Sequence, residues 1–273
     1  MSRTHIEFVQ SQRIEWMRGL LDGVRDGVET RLLSRDPVSG ACSLIVRYPP
    51  GFSCRGNALQ ADDELLVLDG ELEIGGRSYG ELGYAHFPAG FAMGDWSTTS
   101  GAIVLEFFSA TPGCSPLQGK GNEQRLVLQL DTFQMPYTGN FHPEFPPGAG
   151  RRILYQDPLT QDTSWLLGTL PMRWAERAEV HPVVEEMYLL AGEVHGDRGV
   201  MRPGAYFWRP EFVPHGPYGT QTGNLYFFRT QGGSLSTTYQ DARRPFRWWP
   251  DDDVVLPSQY ESARGAVPGT RRW

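Results

Sequence analysis

WAERAEVHPVVEEMYLLAG, residues 174–192, sets His181, then Glu185 after three intervening residues, then a turn at Gly192. The answering segment GAYFWRPEFVPH, residues 204–215, delivers His215 about thirty residues after Glu185, behind a proline-containing turn. Read as β structure, two imidazoles and a carboxylate arrive from separate strands, which is a minimal site for a borderline divalent cation. Glu179 stands two positions before His181. In a strand, positions i and i+2 share a face, so both side chains would face one cavity. Glu186, one step from Glu185, points the other way, to the outside of a barrel or its rim.

The unit occurs twice. Shifted by 122 positions, GFSCRGNALQADDELLVLDG at 51–70 answers the stretch above: Asp63 falls on Glu185, Gly70 on Gly192, Pro88 on Pro210 and Gly101 on Gly223. The lead-in repeats at an offset of 121, with Leu32, Leu33, Asp36 and Pro37 answered by Ile153, Leu154, Asp157 and Pro158. A near-constant offset over this length marks one duplicated supersecondary unit. The chemistry is not duplicated. Asn57, Leu59, Asp63 and Met93 stand where the second copy has Glu179, His181, Glu185 and His215. Leucine cannot ligate, so the first copy is expected to keep the scaffold without the metal.

The order of these residues resembles the two signature motifs of the cupin superfamily. Glu179-Val180-His181 occupies the His-x-His position, Glu185 and Gly192 follow at motif spacing, and Gly204, Pro210 and His215 fall where the second motif places them. Three positions depart: Arg173 stands for the first glycine, Phe212 for the second-motif glycine, and Glu179 for a ligand histidine. The resemblance covers residues 30–110 and 150–230. It implies an all-β chain of two tandem cupin jelly-roll β-barrels. The expected layout is an N-terminal cupin without a metal site over 1–110, a linker over 111–150, a metal-binding cupin over 151–235, and a tail over 236–273 packed on the barrels.

Short strands separated by Gly, Pro and Asp turns predict a barrel or sandwich on their own. Asp36–Gly40 is read as the turn of a hairpin over 28–49, and Asp69-Gly70 as the turn of a second hairpin over 64–76. Residues 84–90 and 103–110 add strands, and 125–133 reads as another. In the second copy, 151–156, 164–171, 186–194, 206–210 and 225–230 are the strands. Residues 11–22 read as a short amphipathic helix or an irregular arm, and 231–273 as an irregular segment held down by Phe246, Trp248 and Trp249. His195, in the turn after Gly192, is read as exposed.

The chain has 273 residues, a net charge of −7 and three cysteines, Cys42, Cys54 and Cys114, with no CxxC spacing. That composition argues against a nucleic-acid partner and for a reducing, cytoplasmic setting. No stretch reaches 18 apolar residues, so no membrane partner is expected. A homodimer is expected by analogy with cupins.

The resemblance implies a divalent metal, Fe(II) favoured, with Mn(II), Zn(II) or Ni(II) as alternatives, held by Glu179, His181, Glu185 and His215. Glu179 has a second reading as a catalytic base beside the metal. Trp165, Met187, Leu189, Phe207, Trp208 and Phe227 are candidates for an apolar substrate pocket with few polar anchors, strand parity choosing among them. Cupins similar to this one include dioxygenases acting on diketones and hydroxylated aromatic ketones, which favours a non-haem iron oxygenase for a small-molecule substrate. A Lewis-acid isomerase, cyclase or dehydratase is the alternative, with Glu179, Tyr188, Tyr206 or Tyr226 moving the proton. A non-catalytic ligand-binding cupin is the third reading. Zinc-binding anti-sigma factors have a similar cupin half, but their helical domain with its own His/Cys site has no counterpart here.

Overall fold

The structure, a computed structural model, describes residues 3–116, 119, 121–139, 144–145, 147–243, 246–248, 257–263 and 273. It divides into two compact units: Met1–Thr4 with Glu15–Met135, and His5–Ile14 with Pro136–Trp273. Each unit is built on a six-stranded antiparallel sheet and a four-stranded sheet, and the chain is all-β apart from short 3-10 turns.

In the first unit the large sheet runs Val127–Asp131, Gly83–Phe87, Asp63–Gly70, Ala102–Phe108, Cys42–Tyr48, Glu29–Arg35. In the second it runs Ile6–Gln10, Ala205–Arg209, Val184–Gly192, Asn224–Gln231, Thr163–Thr169, Ala149–Gln156. The duplicated strands take the same places in the two orders. The correspondence reaches the edge strands, because Ile6–Gln10 and Val127–Asp131 lie 121 positions apart. The strand that opens each copy therefore pairs with the sheet of the other copy.

The turns repeat atom for atom. Asp36 Oδ1 accepts the backbone N–H groups of Val38 and Ser39, and Asp157 Oδ1 those of Leu159 and Thr160, at 2.8 and 3.0 Å in both cases. These are side-chain turns that stop the chain from running on as a strand. Gly70 and Gly192 have φ of +76° and +75°. A Cβ on either would lie about 2 Å from the carbonyl oxygen of Gly101 or Gly223, so the close approach needs glycine.

Several expectations are corrected. Asp69-Gly70 turns a corner between sheets and does not close a hairpin. The hairpin there is Leu72–Ile74 with Arg77–Tyr79, around Gly75 and Gly76. Of the two readings of residues 11–22, the irregular arm holds: a 3-10 turn at Ser11–Arg13 is followed by turns and bends, and the strand before it, Ile6–Gln10, was not expected. The tail is not wholly irregular, since Thr238–Arg243 pairs with Arg177–Val180. Phe246 and Trp248 do pack, with Trp248 edge-on to Trp174 at 6.2 Å and to His195 at 5.3 Å. Trp249 lies outside the described residues. His195 is buried: Nδ1 bonds the Trp248 carbonyl and Nε2 meets Glu193 Oε1 at 3.1 Å. No helix among the described residues is long and apolar enough to cross a membrane.

Candidate metal centre

The four residues singled out by spacing converge inside the second unit. Glu179 and His181 come from Arg177–Val180 and the residue after it, Glu185 from Val184–Gly192, and His215 from the loop after Ala205–Arg209. A backbone bridge brings Glu179 and His215 together, with N–H to O distances of 2.9 and 3.0 Å. One ligand atom each from Glu179, His181 and His215 fits within a span of 4.8 Å. His215 Nε2 lies 3.6 Å from Glu179 Oε1 and 3.6 Å from Glu185 Oε2, and His181 Nε2 lies 3.7 Å from Glu185 Oε1. Neighbouring ligand atoms about 2.0–2.2 Å from one ion stand about 3–3.5 Å apart, so the set fits a first-row metal with little movement.

Both imidazoles are oriented for ligation. His181 Nδ1 is 3.0 Å from the Ser236 carbonyl oxygen, and His215 Nδ1 is 2.9 Å from that of Val213. A carbonyl only accepts, so each Nδ1 carries the proton and, in the neutral ring, each Nε2 keeps its lone pair. His181 Nε2 is buried and has no hydrogen-bond partner. Burial, then the charge of Arg209, holds His215 well below the usual imidazole range and keeps it neutral. A buried, bare imidazole nitrogen beside a carboxylate is a donor set that a metal ion could complete.

The carboxylates differ. Burial raises Glu179 above its ordinary range, and the Tyr239 phenol beside it partly offsets this. Glu185 Oε2 accepts from Arg209 at 2.6 Å and also faces His215, while Oε1 faces His181. Arg209 is itself fully buried and also donates to Glu7 at 3.0 Å and to the Tyr218 oxygen at 2.9 Å. Burial alone would push Glu7 up. Its bond to His5 and the Arg209 charge outweigh that and hold it at about 2. Glu186 faces the other side of the sheet, as parity requires. It is nonetheless buried, taking hydrogen bonds from Tyr206 at 2.6 Å and Arg229 at 2.8 Å.

The centre opens into a cavity of about 100 Å³. Trp165, Met187 and Phe207 line it as expected. Three pocket candidates do not. Trp208 and Phe227 alternate with the wall residues Phe207, Arg209, Tyr226 and Phe228, so they point to the opposite face. Leu189 shares the face of Met187 but is buried outside the cavity wall. Tyr188 and Tyr206 also face away, bonding Ser11 and Glu186. The wall is more polar than expected, with Arg173, Arg177, Tyr218, Tyr226, Thr237 and Tyr239 on it. Arg209 could have been found from the register Glu185↔Arg209. Glu7 could have been found by extending the repeat back to Ile6–Gln10.

No sequence-family model and no curated relative matches the chain. Solved structures do match. A proposed dioxygenase from Nostoc punctiforme superposes with a TM-score of 0.73 at 21% identity, over 88% of this chain and 86% of that one. The fold is that of a bicupin. Protein YlbA of Escherichia coli gives 0.61 at 13% identity over 85% of this chain and 94% of that one. A variant of the Bacillus subtilis oxalate decarboxylase gives 0.56 at 13% identity, over 86% of this chain and 80% of that one.

Proposed function

We propose that this bicupin is a metal-dependent enzyme whose second barrel performs non-haem iron oxygenase chemistry on a small, diketone-like substrate. The observation that carries the reading is the bare, buried Nε2 of His181, with the Nε2 of His215 set beside it against the carboxylates of Glu179 and Glu185. Two imidazoles with one or two carboxylates suit Fe(II), and Mn(II), Zn(II) and Ni(II) lie within the range of the same donors. When bound, such an ion supplies Lewis-acid and redox activation of oxygen-bearing ligands.

The chain's own residues do the rest. Ser236 and Val213 fix the two imidazoles by their carbonyls. Trp165, Met187, Phe207 and Phe228 exclude water from one side of the cavity. The buried Glu179 carboxyl, with its raised proton affinity, can take a proton from a bound carbon acid. The likeness to a proposed dioxygenase supports the same direction.

The test is elemental analysis of protein purified without a metal-binding tag, followed by oxygen uptake with acetylacetone. About one iron per chain with oxygen uptake is the expected result. The raised Glu179 favours one alternative, a Lewis-acid isomerase, cyclase or dehydratase. About one zinc or nickel per chain without oxygen uptake would establish that reading instead.

A further inference from the structure

The cavity of the second barrel is rich in hydrogen-bond donors that the protein does not satisfy. Arg209 can only donate, so the Tyr218 oxygen, 2.9 Å from its Nη2, is the acceptor of that bond. The Tyr218 hydroxyl hydrogen then has no acceptor among the described residues, although Tyr218 lines the cavity. Tyr226 repeats the arrangement. Thr169 donates to Asn224 Oδ1, which directs the Asn224 amide to donate to the Tyr226 oxygen at 2.8 Å. The Tyr226 hydroxyl hydrogen is likewise left without an acceptor among the described residues, and Tyr226 lines the same cavity. The buried Arg209 Nε also has no partner. A buried donor without an acceptor is costly, so these groups are built for a ligand that brings acceptors.

The geometry points to Tyr218 and Tyr226 as the residues that select the substrate, by donating hydrogen bonds to the oxygens of a small oxyanion bound beside the metal centre. This rests on the metal-centre reading above and narrows its substrate to an anion, an enolate or a carboxylate, that presents at least two acceptor oxygens. Arg209 contributes in two ways. Its charge lies against the cavity, and its bond to Tyr218 turns the phenol into a donor toward the ligand. The surrounding Phe207, Phe228 and Trp165 strengthen such bonds by excluding water.

The experiment is isothermal titration of zinc-loaded protein, its zinc content measured first, with acetylacetonate, oxalate and neutral pentan-2-one. The wild type is expected to bind at least one anion more tightly than the ketone. The better of the two identifies enolate or carboxylate as the preferred class. Tyr218→Phe and Tyr226→Phe should each weaken the anion about tenfold, with zinc content and ketone binding unchanged. Equal anion affinity in wild type and both variants overturns the inference and leaves the metal centre standing. So does a zinc-loaded wild type that binds neither anion. Failure to load zinc removes the metal centre, and the inference with it.

Discussion

The two barrels surround the same buried carboxylate position with different side chains. Their backbones are alike around the site: the Gly90 N–H meets the Leu59 carbonyl and the Phe212 N–H meets the His181 carbonyl, both at 2.8 Å. The side chains diverge. In the second barrel the Nε2 atoms of His181 and His215 lie 3.6–3.7 Å from the carboxylate oxygens of Glu179 and Glu185. In the first, Leu59 and Met93 stand in the histidine places, and Arg25 enters from outside the repeat. Its guanidinium pairs with Asp63, the counterpart of Glu185, and with Glu106, and it lies 3.7 Å above the Trp96 ring. Tyr48 donates to Glu106 at 2.6 Å. The carboxylate is kept in both copies and meets a buried guanidinium in each, Arg25 at Asp63 and Arg209 at Glu185; what differs is the pair of imidazoles.

The comparison can be broken most sharply at Arg25. Arg25→Met would leave Asp63 and Glu106 buried without their counter-charge and should cost about 3–5 kcal/mol by denaturant unfolding, with metal content unchanged. A loss under 1 kcal/mol would show that the cluster is not what closes the first barrel. Leu59→Ala removes a fully packed side chain in the same core and should cost about 2–5 kcal/mol, again without changing metal content. Loss of metal in that variant, with the fold intact, would mean the first barrel contributes to the site.

The barrels should also differ in their response to pH. Burial, only partly offset by Arg25, pushes Glu106 up to about 7. Its folded form holds a proton that the unfolded chain releases near 4.5, so this group's contribution to stability falls as pH rises from about 4.5 through 7. Glu7 in the second unit works in the opposite sense. Held at about 2, it contributes stability above its ordinary 4.5, on the order of 3 kcal/mol, which is lost as pH falls toward 2. Unfolding of Glu106→Gln and Glu7→Gln followed across pH checks both signs: each substitution should flatten one limb only.

The smallest effect is at Phe212. It has φ of +61° where the first copy has Gly90 at +80°, and its side chain is 66% exposed. Phe212→Gly should raise stability by about 0.5–1 kcal/mol, measured by thermal unfolding, since left-handed strain is relieved and little packing is lost. Destabilisation would mean that the exposed ring makes contacts that matter.

The clustering of Glu179, His181, Glu185 and His215 was legible from their spacing, although Glu179 and Glu185 lie on strands of different sheets and His181 just beyond the first of them. The duplication was legible because turn residues such as Asp36, Asp157, Gly70 and Gly192 have local reasons to persist. What was not legible depends on distant pairing. Ile6–Gln10 carries no periodicity of its own and becomes a strand only against Ala205–Arg209. Thr238–Arg243 is similarly made by its partner Arg177–Val180. Arg25 could not be assigned to the barrel interior, because a turn residue outside the repeat gives no sign of where its side chain goes. His195 reads as an exposed turn residue until Trp248 covers it. Parity also divided the pocket candidates: Phe207 faces the cavity and its neighbour Trp208 does not.

The central claim is that metal binding belongs to the second barrel and to its two histidines. Its most direct test is the metal stoichiometry of reconstituted wild type, His181→Ala and His215→Ala, each checked for a retained fold by circular dichroism. About one ion per chain in the wild type and almost none in either folded variant is the expected result. Two ions per chain in the wild type, or undiminished metal in both variants, would contradict it.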